Sequence, residues 1–209
     1  GTGFDPSGPC TSFLVQSNGR FLLIDAGPYV LELLAHAGFS PNQLDAVLLT
    51  HAHEDHAVGL SALLGLNKRL RLLCTRETAY VLRRKLAILN PQVSAPEQLL
   101  DEAFRVEEVH PDGESQFSSL RLRFHDTFHP IPCVGVEMSM PDGAGRRSVL
   151  VMGDHASRQV VRQAHQEGAV DERRFAELEA LHHWQGDLML ADEGGGPIHG
   201  LCSNYAERD

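Results

Sequence analysis

The chain has 209 residues, 42% of them hydrophobic and 22% charged, which is ordinary globular usage and excludes a disordered or collagen-like polymer. Its net charge of −10 repels polyanions, so long nucleic acid is a poor partner, whereas a small anion bound at a metal is still allowed. No apolar run approaches a membrane span and no basic start leads into an apolar stretch; Gly1 in place of Met is expected of a processed or trimmed start.

In chain order, Ser12–Gln16 and Arg20–Asp25 predict two strands joined by Ser17-Asn18-Gly19, since Asn-Gly supplies the positive φ angles of a tight hairpin. Pro28 suits the first turn of a helix and Gly38 its C-terminal end, with Val30, Leu33, Leu34 and Ala37 on one face. Leu44–Leu49, apolar except for Asp45, reads as a strand buried on both faces, and a helix is expected from about Val58 to Leu64. Leu70–Cys74 predicts a strand. Thr75 to about Leu89 predicts a helix whose buried side carries Leu82, Leu86 and Leu89, and Asn90–Pro96 breaks it. Phe104–Val109 and Leu120–Phe124 follow as strands. Cys133–Met138 pairs with Arg147–Met152 across Pro141-Asp142-Gly143. Ser157–Glu167 and Asp171–Leu181 predict helices, and Asp187–Ala191 a last strand; Ser203–Asp209 is polar with no element of its own. The alternation predicts a single α/β domain with mixed strands and outer helices, spanning 1–209 and open to being a segment of a longer protein.

Cys10, Cys74, Cys133 and Cys202 form no C-x-x-C pair and are expected as reduced, mostly buried thiols of a cytoplasmic protein, with a Cys10–Cys202 contact allowed. The 12 histidines carry more information. Thr50-His51-Ala52-His53-Glu54-Asp55-His56 directly follows the buried run Leu44–Leu49 and precedes a helix. Buried imidazoles and carboxylates each need a polar partner, so core packing explains this cluster poorly. A tight turn at a strand end can aim alternate side chains into one cavity and serve adjacent metals. A solvated His-rich loop is the competing reading.

His51-x-His53-x-Asp55-His56 resembles the H-x-H-x-D-H signature of the metallo-β-lactamase superfamily. The resemblance continues along the chain. Asp25-Ala26-Gly27 looks like the strand-end Asp-x-Gly of that superfamily, and His129 in His129-Pro130-Ile131-Pro132-Cys133 like its third motif. Asp154 after Gly153 looks like the bridging aspartate, and His199 after Pro197-Ile198 like the last ligand, brought in by the Gly194-Gly195-Gly196 turn. The resemblance implies an αββα sandwich of two mixed β-sheets with helices outside. It implies two divalent metal ions, most simply zinc, with manganese or iron also fitting. His51, His53 and His129 would hold one ion, Asp55, His56 and His199 the other, and Asp154 both. Asp25 fits a group that orients a ligand. An N-cap for the Ser157 helix is the rival role for Asp154. Asp55 would take the proton of the water ionised between the metals, and His155, beside Asp154, could relay one to a leaving group. His110, His125, His182 and His183 are weaker candidates.

Within the superfamily the His129 segment looks most like the phosphodiesterase branch, of transfer-RNA 3′-nuclease and cyclic-nucleotide phosphodiesterase type. The chain departs from the transfer-RNA nucleases. The interval from His129 to Asp154 holds a hairpin and no long basic arm. Ala191-Asp192-Glu193-Gly194 stands where a proton-donating His-Glu-Ala-Thr is found, and there is no basic stripe. The expected function is hydrolysis of a small phosphodiester or cyclic nucleotide. Thioester, lactone or β-lactam hydrolysis on the same metals is one alternative, and a metal-bound sensor without turnover is another. The expected partner is a small anionic substrate, with a homodimer allowed and neither membrane nor long nucleic acid involved.

Overall fold

The computed structural model describes Cys10, residues 12–143 and 145–191, and His199. Contact clustering divides the chain into two compact units, the first made of residues 1–110 and 117–119, the second of 111–116 and 120–209. The expectations for Cys202, the 194–196 glycines and the polar tail at 203–209 fall outside the described residues.

The first unit is built on a five-stranded mixed sheet in the order β1-β2-β3-β4-β5. Strands β1 (Phe13–Ser17) and β2 (Arg20–Ile24) form the expected hairpin, with φ angles of 48° at Asn18 and 75° at Gly19. Helix α1 (Val30–His36) starts later than Pro28 suggested. Tyr29 is its N-cap in left-handed conformation, so Pro28 precedes the helix, while Gly38 beyond its C-terminus takes φ 77° as expected. Strand β3 (Ala46–Leu48) pairs in parallel with both β2 and β4 (Leu70–Cys74), which is why its run is apolar throughout. After β3 come a single helical turn, α2 (Glu54–Ala57), and a 3-10 segment over Val58–Leu63 where an ordinary helix was expected.

Helix α3 (Arg76–Leu89) is capped by Thr75, whose hydroxyl accepts from the Thr78 amide. Leu82 and Leu86 are buried, but Leu89 is 70% exposed. Its spacing puts it on their face, yet among the described residues the core along this helix ends at Leu86. The five-residue α4 (Leu99–Ala103) leads into β5 (Phe104–Glu108), which pairs in parallel with β4. The core of this unit gathers Leu23, Val47, Leu49, Leu72, Leu82 and Phe104.

Two glycines of this unit sit where no side chain fits. A Cβ on Gly27 would lie 2.1 Å from the Asp55 carbonyl oxygen, and one on Gly59 2.3 Å from the Gly27 carbonyl oxygen. Main chain therefore packs on main chain between the corner after β2 and the 53–59 turn. The amides agree: Ala26 donates to the His56 carbonyl and Gly59 to the Ala26 carbonyl.

The second unit carries the other five-stranded sheet, in the order β10-β9-β8-β7-β6. Its strands are β6 (Glu114–Phe117), β7 (Leu120–Asp126), β8 (Val134–Asp142), β9 (Gly145–Val151) and β10 (Leu188–Leu190). The β8–β9 ladder runs out to the Asp142–Gly145 pair. Pro141 and Asp142 thus belong to the strand, and the reversal lies beyond them, with φ 58° at Gly143. Helices α5 (Arg158–Gln166) and α6 (Glu172–His182) begin at Ser157 and Asp171, whose side chains accept from the Val160 and Arg174 amides. Val161, Val170 and Leu178 are buried together beneath them. Strand β10 runs parallel to β9 and so makes this sheet mixed as well. Among the described residues no helix is long and apolar enough to cross a membrane.

Candidate metal centre

In the first unit the imidazoles occupy the corner between β3 and α2, and one carboxylate organises them. Asp25, 3% exposed, accepts from the Thr50 amide at 2.8 Å, from the Thr50 hydroxyl at 2.9–3.0 Å and from His56 Nδ1 at 2.8 Å. Its backbone has φ 59°, a left-handed conformation that costs a non-glycine residue about 1 kcal/mol or more. The strained position brings the carboxylate under two elements at once.

The tautomers follow from proton counting. A carboxylate only accepts, so the single Thr50 hydroxyl proton goes to Asp25. Thr50 Oγ1, 3.0 Å from His51 Nδ1, must then accept from that ring, which leaves Nε2 as the basic nitrogen of His51. His56 likewise donates Nδ1–H to Asp25 and keeps Nε2 basic. His51 Nε2 lies 3.1 Å from His53 Nδ1, and His56 Nε2 lies 3.8 Å from Asp55 Oδ2. Two ligands on one tetrahedral zinc stand about 3.4 Å apart at ordinary bond lengths, so both pairs have spacings that shared cations would take up.

In the second unit the equivalent corner follows β9. Asp154 Oδ2 lies 3.6 Å from His129 Nε2 and 3.7 Å from His199 Nδ1. These separations exceed a hydrogen bond and match ligand spacing around a cation. Asp154 does not cap α5; Ser157 does that. The Thr127 hydroxyl instead reaches the Asp154 carbonyl at 2.9 Å and the Cys133 carbonyl at 3.2 Å, tying the strand ends that carry His129 and Asp154. Thr50 and Thr127 both went unnoticed in the sequence. Thr50 had a signal, its place directly before His51; Thr127 had none.

The remaining histidines separate clearly. His125 Nε2 is 3.0 Å from Glu137 on the neighbouring strand, His183 Nε2 is 2.8 Å from Arg158, and His110 is exposed. His155 is fully buried, its Nδ1 accepts from the Phe128 amide at 3.0 Å, and its ring lies 4.8 Å from that of His182. Burial above all, and then the neighbouring His182, push its pKa down to about 3. His182 is lowered too, again chiefly by burial.

His155 therefore stays neutral in the folded protein, and His182 takes a proton less readily than in the unfolded chain, where such rings titrate near pH 6.5. The His155 contribution to stability is complete above that value and is lost as pH falls from about 6.5 toward 3, and the lowered His182 adds a loss of the same sign. Urea midpoints measured from pH 7.5 to 4.5 should decline, and a His182→Phe variant should decline less steeply. A flat profile contradicts the assignment.

His51 and His53 in the first unit, and His129 and Asp154 in the second, are each of the imidazole and carboxylate types that hold divalent metals.

Residues 1–172 match the family described as Anti-Pycsar protein Apyc1. The match takes in the 51–56 corner, His129 and Asp154. Ribonuclease Z from Methanopyrus kandleri is 31% identical over 137 residues, which are 64% of this chain and 45% of that protein. The cGMP-dependent 3′,5′-cGMP phosphodiesterase A of Dictyostelium discoideum is 25% identical over 198 residues, 94% of this chain and 22% of its own length. The chain thus spans less than half of either relative. Among solved structures, the metallo-β-lactamase fold protein YhfI from Bacillus subtilis superposes with a TM-score of 0.56 at 21% identity, covering 76% of this chain and 61% of that one. Two mixed sheets with helices, each with imidazoles and a carboxylate at its strand ends, are the metallo-β-lactamase fold. With its histidine corners in place and the family match extending to residue 172, the chain belongs to the Anti-Pycsar protein Apyc1 family.

Proposed function

We propose that the chain is a dinuclear metal-dependent phosphodiesterase acting on small phosphodiesters, cyclic nucleotides among them, in the cytoplasm. The observation that carries the reading is the set of basic ring nitrogens fixed by Asp25 and Thr50, with the Asp55 carboxylate beside one of them. The ribonuclease Z and cGMP phosphodiesterase relatives support phosphodiesters as the substrate class. The net charge of −10 supports a small substrate over a long polyanion.

In this reading His51, His53 and His129 would hold one ion, Asp55, His56 and His199 the other, and Asp154 would serve as a further carboxylate ligand. Nitrogen and carboxylate donors without thiolate suit zinc, and manganese or iron also take such sets. Bound there, a pair of divalent cations supplies an acidified water and a charge clamp on the phosphoryl oxygens. The chain's own groups do the rest. Asp55 would hold or accept a proton from the water. Asp25 holds His56 with its basic nitrogen presented, and Thr50 does the same for His51. His155, neutral and bonded to the Phe128 amide, steadies the segment that carries His129.

A substrate panel tests this. Bis(p-nitrophenyl) phosphate and 3′,5′-cyclic nucleotides should turn over, with activity lost on chelation and restored by zinc or manganese. Chromogenic thioesters, lactones and β-lactams should not turn over. Hydrolysis of the esters alone would remove the phosphodiesterase reading, and no hydrolysis by the metal-loaded chain would favour a sensor.

A further inference from the structure

Lys85 belongs to none of the sequence motifs, yet it is tied to the 51–56 corner from outside. It lies on α3, and its ammonium donates to the Ala52 carbonyl at 2.7 Å and to Glu54 Oε1 at 2.7 Å. The two acceptors flank His53 in the chain. His53 is the N-cap residue of α2, with extended backbone and no capping hydrogen bond from its own side chain, so its imidazole is not spent on the helix. Its carbonyl accepts from the His56 and Ala57 amides, and the residues on either side of it are held as well. Lys85 holds the one through its main chain and the other, Glu54, through its carboxylate.

Glu54 is the one carboxylate between His53 and Asp55 that the proposed ligand set does not use. A free carboxylate at that position is a competing oxygen donor for a divalent cation. Paired with Lys85, it is held toward α3.

We propose that Lys85 is a positioning residue for the ion bound by His51 and His53, setting the backbone at His53 and keeping Glu54 out of the ligand set. The inference rests on the metal-binding reading of this corner. An ion pair this exposed contributes little to fold stability, and the Lys85 stem lines an apolar groove with Leu60, Leu82 and Leu86. Lys85→Met keeps the apolar stem and removes only the ammonium, so its effect falls on metal binding and not on folding.

The test is zinc affinity by competition with a chromophoric chelator, read together with the urea midpoint of the metal-free protein. Lys85→Met should bind zinc roughly ten- to a hundredfold more weakly than wild type, with its metal-free midpoint nearly unchanged. Lys85→Arg should recover most of the affinity. Arg83→Met is the control: Arg83 lies on the same helix but pairs with Asp101 at 2.8 Å, and its loss should leave zinc affinity as in wild type. Wild-type affinity in Lys85→Met would overturn the inference. So would a fall in affinity matched by an equal loss of metal-free stability, which marks a structural residue. Wild-type protein that binds no zinc, manganese or iron would overturn the metal reading itself.

Discussion

Asp154→Ala is expected to lose on the order of a thousandfold or more in phosphodiester turnover and to drop below two bound metal ions per chain. One oxygen of this carboxylate lies 3.6 Å from His129 Nε2 and 3.7 Å from His199 Nδ1, so it is placed to share a cation with both rings. The carbonyl of the same residue is held by Thr127, and the residue is 5% exposed, so the side chain has one place to be. Asp154→Asn separates charge from shape. It keeps the volume and most of the packing, and it should retain the fold while losing nearly as much activity as alanine. Elemental analysis and bis(p-nitrophenyl) phosphate turnover read the two effects. Two retained metals with wild-type turnover in either variant would refute the assignment of Asp154.

Asp25→Ala is expected to destabilise the fold by roughly 3–5 kcal/mol, the usual cost of breaking a buried charged network. Removal of the carboxylate strands the Thr50 amide and hydroxyl and releases His56 Nδ1, all inside a corner that water barely reaches. The φ of 59° adds a backbone term that substitutions can isolate. Asp25→Gly loses the same hydrogen bonds but relieves the strain, and should be about 1 kcal/mol more stable than alanine. Asp25→Asn keeps an acceptor for Thr50 and tolerates the left-handed conformation, so it should be the mildest of the three. Urea denaturation of the metal-free variants gives the order. Alanine as stable as asparagine would mean the network contributes nothing to the fold.

The features legible in the sequence were those whose physics is local. Strand β3 announced itself because a strand paired in parallel on both sides must be apolar throughout. The Asn18-Gly19 reversal followed from two positive φ angles, and Ser157 and Asp171 from capping chemistry. The histidine corner stood out because three imidazoles and two carboxylates crowd into positions 51–56. What escaped depended on distant packing. Leu89 has the spacing of a buried residue, but the core beneath α3 stops a turn earlier. Helix α4 and strand β6, of five and four residues, are too short to show a period. Thr127 and Lys85 matter through acceptors 27 and 33 residues away, a separation at which no pattern in one sequence can pair them.

The glycine contacts beneath the first corner bear on how an ion would be received. Gly27 packs closely on the Asp55 carbonyl and Gly59 on that of Gly27, so close main-chain packing, together with Asp25 and Lys85, seats the peptide planes around the imidazoles. A cation bound there would freeze few additional backbone torsions, so little ordering entropy would oppose its binding. In this respect the corner is unlike a zinc finger, where binding and folding are one event.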